Sequence, residues 1–484
     1  MFIEHPAISM RSVSNSLAAS PDQIARAADE LRAHAWPVAY QPDPRKLIYF
    51  NVRTKYFVVL TCSLAWTLLS VLLSLPWLHE LSRVLGFPLA LFVIAFIAYF
   101  PGFMNAFLVG TILADRRPQR RTAMRYPPVT VLVACYNEGP SIRDTLISLS
   151  REEYPGKLEI IVIDDGSTDD CLNIARTAAA EIQRERVHAR VVAVPKNGGK
   201  AAALNQGLSL STSELIVTVD GDSWLYRSAL RHLIDRFMSD PPGTVAVAGA
   251  VFVRNSRKNL ICQMQEWDYF HGIAAVKRMQ SMYHGTLVAQ GAFSVYTRQV
   301  LESVGGWPQC VGEDIVVSWS ILELGHRIGY CEDACLFTNV PDTLMQFARQ
   351  RQRWSRGLVE AFQRHWRLLF HWRMTTLFIW WNLLFMPMDL VFTCAFVPGI
   401  VLALFGYYYI AGPMTLAVLP LAALWNIVIY DRQSRMFHRQ GLRVRRSWRG
   451  FFLFALAYTL ILQPVCVWGY IKEFFKMRKT WGTK

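Results

Sequence analysis

Long apolar runs lie toward both ends of the chain. Residues 56–78 contain no charged residue, and residues 87–114 form a second apolar run that Pro101-Gly102 interrupts. A helix of about 20 residues crosses a hydrocarbon core of about 30 Å. Only residues 79–86 separate the two runs. The pattern therefore predicts a transmembrane hairpin of two spans within residues 51–115.

The apolar residues near the carboxyl end are harder to divide. Residues 374–410 exceed one span, and Met386-Pro387-Met388-Asp389 is expected to break them into an interfacial helix and a span near 390–410. A further span is predicted at about 413–430. Residues 451–471 contain Pro464 and fit either a kinked or re-entrant element or a true span. Residues 390–484 are thus expected to contain two or three spans.

A basic amphipathic segment precedes that region. Apolar residues recur at steps of three, four or seven through residues 343–370, and arginines fill much of the rest. This pattern is typical of a helix that lies at a membrane surface. Residues 343–389 are therefore predicted to form interfacial helices in contact with the lipid bilayer.

The middle of the chain, residues 116–342, has a different pattern. Short β-branched runs at 129–135, 158–164, 189–194, 214–219 and 245–253 alternate with helical stretches. Such alternation predicts an α/β domain with a mostly parallel sheet covered on both faces. In these folds the active residues gather at the carboxyl ends of the strands.

Composition and charge narrow the class of protein. Of 484 residues, 52% are hydrophobic and only 18% are charged, which excludes a disordered chain. The net charge is +15, and the arginines concentrate in the segments that flank the apolar runs. Positive flanks of this kind are typical of the cytoplasmic side of a membrane protein. Because the membrane topology explains the positive charge, we expect no nucleic-acid partner. The nine cysteines contain no CxxC pair and are expected to be reduced thiols. Residues 1–50 are expected to be a cytoplasmic leader, either regulatory or passive.

Two acidic turns follow predicted strands. Asp164 and Asp165 end one strand, where they could accept hydrogen bonds from a base or ribose or simply close an Asx turn. Asp220 and Asp222 end another strand, one residue apart. Paired carboxylates of this kind can share Mg²⁺ or Mn²⁺, which would neutralise a nucleotide diphosphate.

Three further motifs complete the candidate chemistry. Lys196 to Lys200 places two glycines before a lysine and a helix, which suits a phosphate. Glu313 and Asp314 begin an apolar helix, where such acids either cap the helix or do chemistry. Residues 350–354, QRQRW, combine arginines that can bind phosphate with a tryptophan that can stack on a sugar, although a helix that binds lipid headgroups has the same composition.

In this order, these motifs resemble one family. ACYNE, DDGSTD, NGGKAAALNQG, DGD, QGAFSVY, GED and QRQRW are similar to the motifs of the processive, membrane-embedded family 2 glycosyltransferases, over roughly residues 50–470. That family includes cellulose, hyaluronan, chitin-oligosaccharide and poly-N-acetylglucosamine synthases. The resemblance implies a cytoplasmic catalytic domain of the GT-A fold, α/β and Rossmann-like, inserted between transmembrane and interfacial helices. The chain departs from many members at Gly312, where they have threonine.

The resemblance also implies a role for each candidate residue. Catalysis falls to Asp314 as general base, with Glu313 beside it. Asp222 is the principal metal ligand and Asp220 the second, for Mg²⁺ or Mn²⁺. The nucleotide-sugar site is implied to contain Tyr136, Glu138, Asp165, Lys200, Asp220, Gln350 and Arg353. The acceptor site is implied to contain Trp354, Gly291 and Phe293.

We therefore expect an inverting, processive hexosyltransferase of a bacterial inner membrane. It would polymerise a UDP-activated sugar, by resemblance UDP-N-acetylglucosamine, into a β-linked polysaccharide and pass the growing chain across the membrane. The motifs leave open a hyaluronan- or glucan-type synthase, a non-processive enzyme that makes a lipid-linked or short glycan, and a non-catalytic membrane subunit. A small membrane accessory subunit is a further expectation.

Overall fold

A computed structural model describes residues 19–35, 51–115, 123, 125–444 and 447–477. Most of the predicted leader, residues 1–50, lies outside these ranges, as do most of the arginines that follow the hairpin. Within the leader, the structure has a helix at Pro21–Ala35, where Ser20 Oγ accepts a hydrogen bond from the Gln23 amide at 3.3 Å.

Eighteen α-helices lie in the described residues. They are α1 (Pro21–Ala35), α2 (Val52–Leu85), α3 (Phe87–Ile94), α4 (Phe100–Leu113), α5 (Gly139–Ser150), α6 (Cys171–Glu181), α7 (Lys200–Leu210), α8 (Ala229–Ser239), α9 (Leu260–Trp267), α10 (Ala274–Met282), α11 (Arg298–Ser303), α12 (Glu313–Glu323), α13 (Leu344–His365), α14 (Thr376–Val391), α15 (Val397–Leu404), α16 (Pro413–Arg439), α17 (Trp448–Leu456) and α18 (Tyr458–Phe474). Short π-helical segments occupy Ala95–Tyr99, Asp268–Ile273 and Phe392–Phe396, and a 3₁₀ helix occupies Trp366–Phe370.

One sheet forms the centre of the described structure. Its strands are β1 (Val129–Cys135), β2 (Leu158–Asp164), β3 (Val187–Ala193), β4 (Leu215–Asp220), β5 (Trp224–Leu225), β6 (Thr244–Val253), β7 (Phe293–Thr297) and β8 (Arg327–Thr338). Their order is β3-β2-β1-β4-β7-β6-β8-β5. The first four are parallel, and β7 runs antiparallel to both β4 and β6. The prediction of an α/β, mostly parallel sheet is confirmed, with β7 and β5 making the sheet mixed.

Three helical stretches of the described chain are long and apolar enough to span a membrane. They are Val52–Leu85, Phe87–Leu113 and Thr376–Leu404. The first two meet at Gly86, whose φ of +77° turns the chain back. Together they indicate a membrane protein.

The structure differs from the predicted carboxyl-terminal boundaries. The helix does not break at residues 386–389: Pro387 lies inside α14, and the helical path continues through the π-helical segment Phe392–Phe396. Local π-helical turns near a proline allow the backbone groups that it leaves unpaired to find other hydrogen-bond partners. The predicted linker 79–86 is likewise helical up to Leu85. The last apolar stretch is kinked, which was one of the two alternatives. Helices α17 and α18 meet at an angle of 50° next to Ala457, and Pro464 lies inside α18. The predicted span near 413–430 lies in α16, which is not among these three stretches.

Candidate active site

Parallel strands bring the first candidate residues to one edge. Strand β1 lies between β2 and β4, so their carboxyl ends are neighbours. In register, Cys135 pairs with Asp164, and Ala134 pairs with Asp220. Tyr136 and Glu138, which follow β1 directly, therefore lie at the same edge as the two acidic turns. Tyr136 is 45% exposed, which leaves its ring accessible to a ligand.

Asp165 organises the glycine turn that precedes α7. Its Oδ1 accepts a hydrogen bond from the Gly198 amide at 2.9 Å, and its Oδ2 accepts one from the Gly199 amide at 2.8 Å. Gly199 has a φ of +87°, which an L side chain would strain. The carboxylate expected to bind a nucleotide thus also fixes the turn that places Lys200.

Lys200 joins two of the acidic motifs. Its ammonium contacts the Asp220 carboxylate and lies 4.0 Å from Glu313 Oε1. A Cβ on Gly291 would lie 2.9 Å from Lys200 Nζ and 3.7 Å from Glu313 Oε1. Residue 291 must therefore be small for the lysine to reach between the two carboxylates.

The acids at the start of α12 lie beside this lysine. Glu313 is buried, and burial raises its pKa to about 7, with Asp314 adding to the rise and Lys200 and Arg353 opposing it. Asp314 is only partly buried. Its Oδ1 accepts from the Ile315 amide at 2.8 Å and its Oδ2 from the Gly291 amide at 3.4 Å. Two adjacent acids therefore have different environments, and Asp314 is the one open to a substrate.

Lys277 is a neighbour that the sequence motifs did not reveal. Its ammonium donates to the Val288 carbonyl at 2.6 Å, just before Gln290 and Gly291. Burial lowers its pKa to about 8, and the charge of Asp314 opposes that shift. No motif surrounds this lysine in the sequence, so only the packing of α10 shows its place.

Asp220 and Asp222 offer hard oxygen donors of the kind that Mg²⁺ and Mn²⁺ prefer. Asp222 accepts a hydrogen bond from the Thr338 hydroxyl at 3.1 Å, which orients its carboxylate from β8. Asp220 already has a cation, Lys200, against it. The two carboxylates therefore form a donor set that fits a divalent ion.

Helix α13 brings the QRQRW residues to the acids. Gly312 and Gly357 touch: a Cβ on Gly312 would lie 2.5 Å from Gly357 Cα. The Gly312 amide also donates to Glu360 Oε2 at 3.0 Å. This crossing of α13 over the start of α12 places Arg353 near enough to Glu313 to oppose the rise in the pKa of that acid.

Tyr269 lies beside Trp354. Its ring centroid is 6.4 Å from that of Trp354. Burial raises the pKa of Tyr269 to about 12, with the charge of Arg351 opposing the rise and the charge of Asp268 adding to it. Trp354 is 40% exposed, whereas Gln350 has a buried side-chain oxygen with no hydrogen-bond partner among the described residues.

Two expectations need correction. Phe293 is fully buried, and its ring lies where a Cβ on Gly249 would be, so its side chain packs in the core and does not face an acceptor. Helix α13 does not present all its arginines at a surface, because Arg351 and Arg356 are 4% and 6% exposed. Each of the two has a buried carboxylate as its partner.

Comparison with known sequences agrees with this arrangement. Residues 127–357 match the family model described as glycosyltransferase like family 2. The chain is 31% identical over 280 residues to the poly-β-1,6-N-acetyl-D-glucosamine synthase of Staphylococcus aureus (strain COL), covering 56% of this chain and 66% of the relative. It is 31% identical over 284 residues to the synthase of the same name from Staphylococcus epidermidis, covering 56% of this chain and 67% of the relative. The chain thus spans about two thirds of the length of these relatives.

Comparison with solved structures identifies the fold. The mannosyltransferase PcManGT from Pyrobaculum calidifontis, solved in complex with GDP-Man and Mn²⁺, superposes with a TM-score of 0.56 at 21% identity. The match covers 80% of this chain and 99% of that one. The sheet and its helices therefore have the GT-A fold, with apolar helices on either side of the catalytic domain in sequence.

Proposed function

Because this chain belongs to glycosyltransferase family 2, we propose that it builds a β-linked polysaccharide from UDP-N-acetylglucosamine and passes the polymer across a bacterial inner membrane. The observation that carries the proposal is the crossing of α12 and α13 at Gly312 and Gly357. In this proposal, the acids of GED and the residues of QRQRW act together beside the strand-end carboxylate of Asp220, which Lys200 joins to Glu313. A donor site and an acceptor site would then share one hollow.

The donor would occupy the edge formed by β1, β2 and β4. Tyr136, Glu138 and Asp165 would face the nucleoside, and Lys200 would face the diphosphate. A divalent ion held by Asp222 and Asp220 would neutralise charge on the departing diphosphate. Arg353 and Gln350 would add donors for the same phosphates, since arginine pairs with phosphate oxygens in two-point geometry.

The transfer would be a single displacement. The acceptor hydroxyl attacks the anomeric carbon, Asp314 takes the hydroxyl proton, and the bond to UDP breaks. One displacement inverts the α configuration of the donor, so the new linkage is β. Asp314 suits this step because its carboxylate is oriented by two backbone amides and is more open to solvent than Glu313.

The membrane placement follows from the flanking helices. The two helices of the amino-terminal hairpin and the helix Thr376–Leu404 would anchor the catalytic domain at the cytoplasmic face and line a path for the polymer. An interfacial position of α13, which precedes that helix, belongs to the same proposal, as does a small accessory subunit that completes the path beside the kinked helices α17 and α18.

A donor screen tests the function. The full-length chain, purified and reconstituted in liposomes, is supplied in turn with UDP-N-acetylglucosamine, UDP-glucose and UDP-glucuronic acid. We expect UDP release with UDP-N-acetylglucosamine, and a β-linked polymer inside the vesicles that linkage analysis identifies. UDP release without polymer would indicate a non-processive enzyme or a missing subunit, and no UDP release with any donor would contradict an enzymatic role.

A further inference from the structure

Two buried ion pairs lie along α13. Arg351 pairs with Asp268 at 2.9 Å, and Arg356 pairs with Glu473 at 2.9 Å. Removing an arginine from water is costly unless a partner and further contacts compensate. The charge of Arg351 is thus neutralised inside the protein, so this arginine of QRQRW is not free to bind a diphosphate. Its position calls for a different explanation.

Arg351 lies over the face of Trp354. The guanidinium carbon is 4.0 Å from the centroid of the Trp354 ring, one helical turn away on the same helix. Phe347, Tyr458 and Tyr269 surround the same guanidinium, with centroids at 5.1, 5.9 and 6.0 Å. A planar cation stacked on an indole is attracted to it by about 0.5 to 2 kcal/mol. The guanidinium of Arg351 therefore covers one face of the Trp354 ring, while 40% of the residue stays exposed.

Asp268 and Tyr269 come from one π-helical segment, Asp268–Ile273. Asp268 holds the guanidinium on one side, and the Tyr269 ring lies 6.4 Å from the Trp354 ring. Segments of this kind are rare and frequently occur at functional sites. The same short segment thus supplies both the anion that fixes Arg351 and an aromatic neighbour for Trp354.

From this arrangement we propose that Arg351 and Asp268 are positioning residues that hold the Trp354 indole as the flat platform on which the terminal sugar of the acceptor stacks. The proposal rests on the proposed function. Neither residue touches the reacting atoms. Their role is to fix the orientation of the indole, since a ring free to rotate would lose part of the stacking energy whenever an acceptor binds.

The second ion pair of α13 provides a matched control. Arg356 is as buried as Arg351, has the same distance to its carboxylate, and donates to the Met477 carbonyl at 2.8 Å. A purely structural role for both pairs predicts equal effects on their removal. A positioning role predicts an effect on Trp354 from the first pair alone.

The experiment uses the full-length chain labelled with 5-fluorotryptophan, in which Trp354→Phe assigns one fluorine resonance. We expect Asp268→Asn and Arg351→Lys to shift or broaden that resonance and to raise the KM for an N-acetylglucosamine oligosaccharide about ten-fold, with UDP affinity unchanged. Arg356→Lys should change neither quantity. An unmoved Trp354 resonance in Asp268→Asn, or equal shifts from both pairs, would overturn the proposal. If the wild-type chain uses no sugar nucleotide, the proposed function fails, and the resonance still decides whether the pair positions Trp354.

Discussion

Gly312 and Gly357 meet backbone to backbone where α12 begins and α13 crosses it. A Cβ on Gly312 would lie 2.5 Å from Gly357 Cα, and a Cβ on Gly357 would lie 2.7 Å from Gly312 Cα. Such distances are shorter than real contacts, and neither glycine has a flexible side chain that could move away. Gly312 stands where many family members have threonine, and its close contact with Gly357 explains why this position has no side chain in this chain.

Gly312→Ala should reduce transferase activity at least ten-fold, an effect of about 1.4 kcal/mol or more on the barrier. The added methyl group would push α13, with Arg353 and Trp354, away from the acids of α12. Gly312→Thr should be at least as damaging. Initial rates of UDP release from liposomes measure both. Gly102→Ala is the control, because its Cβ would meet nothing closer than 3.7 Å. Full activity in Gly312→Ala would show that the crossing does not set the site geometry.

Asp314→Asn should abolish polymer synthesis and leave UDP affinity nearly intact. The amide keeps the size of the carboxylate, and its one oxygen can still accept from the Ile315 amide, which makes the shorter of the two hydrogen bonds to Asp314, but it cannot take a proton at neutral pH. Calorimetric titration with UDP and a radiolabelled polymer assay separate the two effects. Normal elongation by this variant would remove Asp314 from the role of base.

The sequence predicts the strands with strong apolar runs and misses those without them. Strands β1, β2 and β4 are apolar runs rich in β-branched residues, and each lies within a residue or two of its predicted bounds. Strand β8 contains Glu332 and Asp333 and shows no such run, and β7 follows directly after a glycine loop. The antiparallel entry of β7 between β4 and β6 is set by long-range pairing, which local pattern does not encode.

The sequence motifs predict which residues form the candidate site, but not which residues they pair with. The acids of DGD and GED follow from the sequence, because carboxylates at strand ends and helix starts are visible in it. The burial of Arg351 and Arg356 does not follow, because their carboxylate partners are 83 and 117 residues away. From the sequence alone, a helix with many arginines is interpreted as a membrane-surface helix, because its distant carboxylate partners are not visible there.

The pKa of Glu313 makes stability depend on pH. Burial raises this pKa from 4.5 to about 7. The folded protein thus binds more protons than the unfolded chain between about pH 4.5 and 7, and stability falls as pH rises through that window. The contribution is on the order of 3 kcal/mol, because each pKa unit corresponds to about 1.4 kcal/mol.

Glu313→Gln should remove this dependence. The unfolding temperature of the wild-type chain in detergent should fall between pH 5 and pH 8 by more than that of Glu313→Gln. Glu302→Gln, at an exposed ion pair with Arg298, serves as the control and should follow the wild type. Parallel curves for wild type and Glu313→Gln would show that Glu313 does not titrate in this range.

Removal of divalent cations should stop turnover, and Asp222→Asn should have the same effect at physiological Mg²⁺. The carboxylate of Asp222 is oriented by the Thr338 hydroxyl, so its loss should leave a metal-bound diphosphate without the protein ligand that we propose as the main one. We expect the Mg²⁺-dependent part of UDP binding to disappear in calorimetry while the metal-free affinity, which Lys200 supports, persists. Asp144→Asn, at an ion pair with Arg254 on the exposed surface, is the matched loss of one carboxylate and should keep the metal dependence. Full activity in EDTA, or an unchanged metal dependence in Asp222→Asn, would contradict the assignment of the ion to this turn.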